Sequence, residues 1–110
     1  MSSASAAESA ASSGIATLER QAGEAARLLK LLANEHRLMI LCRLVAQREM
    51  SVGNLVAAVG LSQSALSQHL ARLRDDRLVA TRRDGQTIHY RIADPKTRRL
   101  LTVLKNIYCP

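Results

Sequence analysis

Residues 63–72 carry short polar side chains on one face of a predicted helix. Amide and hydroxyl side chains can hydrogen-bond to base edges in the major groove of DNA, whereas phosphate repels acidic side chains. No acid occurs in this segment before Asp75. We therefore predict contacts to double-stranded DNA from this face; the alternative is a solvated helix face over a small core. The predicted contacts are Gln63, Ser64, Ser67 and Gln68 to bases, Arg72 to phosphate, and the DNA-facing or solvated His69.

A second group of candidate contacts, which is mostly basic, lies in and around a predicted hairpin. The segments 78–83 and 87–92 are predicted strands, and the second alternates apolar and polar residues with a period of two. Asp84-Gly85 between them indicates a tight two-residue turn. A hairpin that follows a DNA-reading helix forms a wing, whose cations can contact phosphates or the minor groove. The alternative is that they protect an exposed strand edge. The predicted wing contacts are Arg82, Arg83 and Arg91, with Gln86 at the tip.

A helix–turn–helix over residues 51–75 must position the polar face. Apolar residues recur at helical spacing in its first half, and Gly60 is typical of a residue that ends a helix. Ser62 can cap the second helix. The apolar stripe of that helix, which we expect to face the core, is Leu66, Leu70 and Leu73.

Three further helices complete the predicted fold. The first covers residues 15–32, and a central helix over 35–47, capped by Asn34, is apolar nearly all round and predicted to be buried. The last begins at Asp94-Pro95. Both terminal helices carry more apolar surface than one small core uses, which predicts a homodimer through them. The fold class is mainly α with a small β-hairpin, a winged helix–turn–helix.

Composition limits the partners and the compartment. The net charge of +7 fits a phosphate-rich partner, although it does not exclude an anionic membrane surface. Two Tyr, no Trp and no Phe argue against proteins that stack single-stranded bases on aromatic rings. No apolar run reaches the ~18 residues of a membrane span, and no secretion signal is visible. We expect a cytoplasmic protein without a membrane partner.

The sequence predicts one domain preceded by an N-terminal tail. Residues 1–14 are low in complexity and lack large apolar side chains, so we predict a disordered N-terminal tail. Residues 15–110 form the predicted DNA-binding and dimerisation domain. An interaction module without DNA contact is the alternative from a different class.

Catalytic and metal-binding chemistry have little support in the sequence. There is no Ser/His/Asp set, no phosphate-cradling glycine loop and no carboxylate pair, so we predict no enzyme and no cofactor. A zinc site needs three or four ligands, and Cys42 and Cys109 supply only two. His36 lies six positions before Cys42, on a different part of the helix face. Spacing alone favours Cys42 as a small buried hydrophobe and Cys109 as a bystander.

The strings LLKLLANEHRLMILCRL and MSVGNLVAAVGLSQSALSQHLARLRDDRLVATRRDGQTIHYRI resemble the ArsR/SmtB family of winged-helix repressors. The resemblance covers roughly residues 18–109. It implies a homodimer that occupies operator DNA and leaves it when an inducer is sensed. The cysteine pair that metal-sensing members carry in the first helix of the helix–turn–helix is absent from SVGNLVAAVG, and the last helix lacks their histidine.

The positions of Cys42 and Cys109, in LMILC and IYC, resemble the BigR/SqrR subgroup. This resemblance implies that the two thiols sense reactive sulfur species, persulfides or polysulfides, and that oxidation releases the DNA. The product would be an intraprotein disulfide or a bridge of several sulfurs. A metal- or peroxide-responsive repressor using the same cysteines is an alternative. A small thiol oxidoreductase is another, although neither cysteine lies in a Cys-x-x-Cys motif.

Overall fold

The computed structural model describes residues 14–108, which divide into one unit of residues 14–30 and another that begins at Leu31. The elements are helical residues 14–20 (α1), α2 (Ala22–Leu32), α3 (Glu35–Gln47), β1 (Glu49–Ser51), α4 (Val52–Val59), α5 (Gln63–Asp75), β2 (Val79–Asp84), β3 (Thr87–Ile92) and α6 (Pro95–Tyr108). The mainly helical winged helix–turn–helix predicted from the sequence is confirmed. None of the helices within 14–108 is long and apolar enough to cross a membrane.

The helix predicted over residues 15–32 begins in the first unit and ends at Leu32, with a turn at Gln21. Helical hydrogen bonding continues through this turn, because the Gln21 N–H donates to the Thr17 carbonyl at 3.2 Å and the Ala25 N–H to the Gln21 carbonyl at 3.0 Å. Of the predicted tail, residues 1–13 lie outside the described residues and Gly14 is helical. Three apolar side chains of this helix are more than half exposed: Ile15, Leu18 and Leu29.

The helix ends in the second unit follow the local signals of the sequence. Asn34 Oδ1 accepts a hydrogen bond from the Arg37 N–H at 3.1 Å, and Ser62 Oγ accepts one from the Ala65 N–H at 3.1 Å. Gly60 ends α4 in the left-handed conformation, with φ of 71°. These side-chain and backbone caps satisfy groups that a helix end leaves without a helical partner. The boundaries of α3 and α5 are therefore confirmed as predicted.

An aliphatic core lies between α3, the helix–turn–helix, the sheet and α6. The predicted stripe of α5 is buried, and so is one side of α3. The buried apolar residues from α3 onward are Ile40, Leu41, Leu44, Leu55, Val59, Leu66, Leu70, Leu73, Leu78, Val79, Ile92 and Leu101. The prediction that α3 is the central buried helix holds for one side only, because Met39 is 38% exposed and Cys42 is also exposed.

The wing is part of a three-stranded antiparallel sheet with the order β1-β3-β2. Asp84 is the last residue of β2 and pairs with Thr87, so the two turn residues are Gly85 and Gln86 rather than Asp84 and Gly85. Only the first of them has a positive φ, 63° at Gly85, as in a type II′ turn. The sequence analysis missed β1, which adds a third strand beside β3.

Candidate nucleic-acid interface and thiol site

One continuous polar face runs along α5. The side chains of Gln63, Ser64, Ser67 and Gln68 are exposed, while the leucines of the opposite stripe are buried. Ser62 Oγ fixes the start of this helix, and the core leucines fix its rotation about its own axis. Short amide and hydroxyl groups are thus presented to solvent by a firmly packed helix, which is the arrangement that major-groove recognition requires.

Arg72 lies at the far end of the same face. Its side chain is 64% exposed, and Arg72 Nε lies 3.6 Å from Asp76 Oδ2. An exposed ion pair of this kind is weak, so the guanidinium can exchange the carboxylate for another anion. This geometry is compatible with the phosphate contact predicted for Arg72.

His69 has a different environment from the exposed residues beside it. Its side chain is half-buried, and its ring centroid lies 5.7 Å from that of His36 on α3. Burial lowers the pKa of His69, and the positive charge of Arg37 and of a protonated His36 lowers it further. His69 therefore lies at the contact between α3 and α5, and the DNA contact predicted for it stays a prediction.

The two arginines of β2 lie on opposite faces of the sheet. Arg82 pairs with His89 and Arg83 with Ile88, and successive side chains of a strand alternate between faces. Arg83 is exposed, as is Gln86 in the turn. The cations of the wing therefore point in two directions.

Arg82 is held by an acidic residue that the sequence analysis missed. Arg82 Nη2 donates to Glu49 Oε1 at 2.7 Å, and Arg82 Nε lies 3.2 Å from both carboxylate oxygens. This pairing lowers the pKa of Glu49 and raises the pKa of Arg82. Thirty-three positions separate the two residues, and only the pairing of β1 with β3 brings them together, so no local signal could have found the contact.

Backbone hydrogen bonds attach the wing to α5. The Leu78 N–H donates to the Leu73 carbonyl at 2.9 Å, and the Ala93 N–H donates to the Leu78 carbonyl at 2.9 Å. Arg77, in the turn between α5 and β2, has a positive φ of 63°. The polar face of α5 and the basic wing are therefore presented by one connected unit.

Cys42 lies on the exposed side of α3. It is present as a thiol at the edge of an open pocket of about 550 Å³. Its exposure contradicts the alternative that it is a small buried hydrophobe. Cys109 lies outside the described residues, and α6 is described as far as Tyr108, whose side chain is 79% exposed. The other residues around the pocket are Ala33, Asn34, Glu35, Leu38, Met39 and Arg43.

A metal centre has no support in the described part of the chain. Within residues 14–108, no three side chains of His, Cys, Asp or Glu come together as a metal site requires. The ring pair of His36 and His69 has no third potential ligand of these types among those residues.

Comparison with known proteins places this geometry in a family. Residues 34–81, from the cap of α3 into β2, match the family described as bacterial regulatory protein, arsR family. The chain is 45% identical over 96 residues to the HTH-type transcriptional regulator YgaV of Escherichia coli, covering 87% of this chain and 97% of YgaV.

Two further relatives have known structures. The transcriptional activator HlyU of Vibrio cholerae is 47% identical over 92 residues, 84% of each chain. The structure of its reduced form has a TM-score of 0.80, with 46% identity over 86% of this chain and 98% of that one. The transcriptional repressor BigR of Xylella fastidiosa has a TM-score of 0.80 with 41% identity, over 86% of this chain and 95% of that one.

All three relatives are named as transcriptional regulators, and none is named as an enzyme. The alternative of a small thiol oxidoreductase is therefore not favoured. BigR is among the relatives, as the positions of the cysteines suggested, and both the fold and the matched segment agree with the resemblance seen in the sequence. The chain belongs to the ArsR family of bacterial regulatory proteins.

Proposed function

We propose that the protein is a homodimeric transcriptional repressor that releases its operator DNA when reactive sulfur species oxidise Cys42 and Cys109. The observation that carries the proposal is the exposed Cys42 thiol on α3, in a chain whose α5 presents an exposed polar face and is followed by a basic wing. BigR, a relative with the same fold, is named a transcriptional repressor.

The DNA-binding part of the proposal rests on the polar face of α5 and on charge. Gln63, Ser64, Ser67 and Gln68 would contact base edges, while Arg72, Arg83 and the wing tip would contact phosphate. The net charge of +7 favours association with any DNA, so salt should weaken binding steeply. Gln68→Ala should reduce the preference for the operator while leaving binding to unrelated duplex DNA almost unchanged.

The dimeric part rests on apolar side chains that the single chain leaves in contact with water. Val103 of α6 is 52% exposed and Ile107 is 63% exposed, and α1 and α2 add further exposed apolar residues. A dimer through the terminal helices would bury these side chains. It would also place two α5 helices about 34 Å apart, which is the spacing of successive major grooves.

The chemical step needs one thiol to attack and a second to resolve the product. A cysteine thiolate attacks the outer sulfur of an organic persulfide, and the organic thiolate leaves, so that the cysteine becomes a persulfide. The second cysteine attacks the inner sulfur of that persulfide and expels hydrosulfide. The two protein thiols are thereby oxidised to a disulfide. If a second organic persulfide has converted the second cysteine to a persulfide as well, its outer sulfur attacks the inner sulfur of the first, hydrosulfide leaves, and the bridge contains three sulfurs.

The test is the affinity for the DNA upstream of the protein's own gene, measured at fixed salt before and after treatment with an organic persulfide. Hydrogen peroxide forms a parallel arm. We expect persulfide alone to release the DNA. Release by both oxidants would indicate a general thiol switch, and release by neither would refute sensing through the cysteines.

Single serine variants supply the matched controls, because serine removes the thiol with little change in size. Cys42→Ser and Cys109→Ser should bind DNA like the wild type and lose the response to persulfide. A response that survives either substitution would contradict the two-thiol mechanism. The mass of the intact protein distinguishes the products: a disulfide lowers it by two hydrogen atoms, and each further sulfur in the bridge raises it by the mass of one sulfur atom. A promoter reporter decides the direction of control, because the relative HlyU is named an activator.

A further inference from the structure

The ion pair between Glu49 and Arg82 joins the two outer strands of the wing sheet. β3 lies between β1 and β2, so the pair reaches across the central strand. Three of its atom pairs lie at 2.7–3.2 Å, which indicates that the guanidinium presents its Nε edge to the carboxylate. The side chains are 29% exposed for Glu49 and 49% for Arg82, so both are accessible to solvent and to ligands.

The register of the strands places three basic side chains on the same face of the sheet as the Glu49 carboxylate. Glu49 is opposite Arg91, and Arg82 is opposite His89, which in turn is opposite Ser51. Because pairing partners share a face, Glu49, Arg82, His89 and Arg91 all lie on one face of the sheet. Asp84, opposite Thr87 and two residues after Arg82, is a second acid on this face, and Glu49 is the acid that hydrogen-bonds to Arg82.

An arginine bound to a carboxylate is less available to a phosphate. The hydrogen bonds to Glu49 use Nε and Nη2 of Arg82, and the carboxylate cancels most of the charge that would displace counterions from DNA. The backbone of DNA presents the same phosphates in every sequence, so a restraint on Arg82 reduces affinity for all DNA alike. Recognition of bases by α5 is not affected by this restraint.

We propose that Glu49 withholds Arg82 from DNA phosphates and so lowers the sequence-independent affinity of the protein for DNA. The inference rests on the proposed DNA binding. In the protein as it stands, the wing supplies less sequence-independent affinity than its arginines allow. Operator and non-operator DNA lose affinity by the same factor, because both present the same phosphates to the wing.

The size of the effect follows from the salt dependence of DNA binding. Each additional phosphate contact changes the slope of log affinity against log salt by about 0.9. Between 50 and 200 mM salt, one more contact therefore makes affinity fall by about 3.5-fold more. Glu49→Gln should thus bind a non-operator duplex several-fold more tightly at low salt, with the slope steeper by about one for each wing.

The experiment is a double-mutant cycle on the full chain. Affinities of wild type, Glu49→Gln, Arg82→Gln and the double variant are measured for the upstream DNA and for a scrambled duplex of equal length, at four salt concentrations. Glu24→Gln is the matched control: it makes the same charge change at an exposed site in the first turn of α2. Thermal melts check that each variant folds.

We expect Glu49→Gln to strengthen binding to the scrambled duplex only when Arg82 is present. A gain that persists in the Arg82→Gln background, or an equal gain in Glu24→Gln, would reduce the effect to net charge and overturn the inference. Unchanged or weaker binding by Glu49→Gln would overturn it as well. If the wild type binds neither duplex at low salt, the proposed function fails and takes this inference with it.

Discussion

Two glycines of the helix–turn–helix should respond in opposite directions to the same substitution. Gly60 ends α4 with φ of 71° and ψ of 22°, a left-handed conformation. Gly53 lies inside the first turn of α4 and has no positive φ. A Cβ added at either position would meet no atom within 4 Å. Alanine at both sites is therefore free of steric clashes, and any difference must come from backbone conformation.

The expected energies follow from that conformation. An L-residue in the left-handed region costs about 1–2 kcal/mol, and replacing glycine recovers about 0.4–1 kcal/mol by restricting the unfolded chain. Gly60→Ala should therefore destabilise the protein by about 1 kcal/mol. Gly53→Ala carries only the gain and should stabilise by about 0.5 kcal/mol. The two variants should differ in unfolding free energy by about 1.5 kcal/mol.

Urea denaturation followed by circular dichroism measures this difference. Wild type and both variants must be compared at one protein concentration, because a dimer gains apparent stability with concentration. In a thermal melt, 1 kcal/mol corresponds to about 4–8 °C for a domain of this size. Shifts of the same sign for both variants, or an unchanged midpoint for Gly60→Ala, would refute the conformational argument.

Two further substitutions test a helix cap and a titrating group. Asp94 Oδ2 accepts hydrogen bonds from the N–H of Thr97 at 3.3 Å and from the buried Thr97 hydroxyl at 2.7 Å. Asp94→Ala should therefore destabilise the protein by about 1–2 kcal/mol, measured by urea denaturation, and an unchanged midpoint would contradict the role of this cap. Burial, Arg37 and His36 lower the pKa of His69 below the usual 6.5, so the unfolded chain binds more protons than the folded one. The free energy of unfolding should therefore fall as the pH drops through 6.5, and it should fall less steeply in His69→Gln. If the urea midpoints of wild type and variant change in parallel from pH 7.5 to 5.5, His69 does not contribute to this pH dependence.

The helices could be predicted from the sequence because their signals are local. A cap such as Asn34 or Ser62 acts on a backbone N–H three residues away, and Gly60 acts on its own φ. The alternation in residues 87–92 likewise predicts a strand without knowledge of its partner. The polar face of α5 followed from the same helical period, since one buried stripe fixes which side chains are exposed.

Burial and long-range contacts could not be predicted in the same way. The apolar composition of α3 indicated a fully buried helix, but nothing local states how many neighbours a helix has, and Cys42 is exposed. The strand β1 has only three residues, too few to show a period. The pairing of β1 with β3 brings Glu49 to Arg82. The arginine could therefore be identified from the sequence, but the acid that binds it could not.

The short strand β1 also determines how the thiol site and the wing are connected. Six residues lie between Cys42 and Glu49, and the last of them, Arg48, ends α3 with φ of 67° and ψ of −51°, a sparsely populated conformation. After Arg48 the chain pairs with β3, and then Ser51 caps α4 by accepting from the Asn54 N–H at 3.2 Å. No flexible loop separates α3 from β1, so Arg48 is the one residue at which a displacement of the end of α3 can be taken up before it reaches β1. Either the dihedral angles of Arg48 absorb it, or β1 moves together with the wing and the start of the helix–turn–helix.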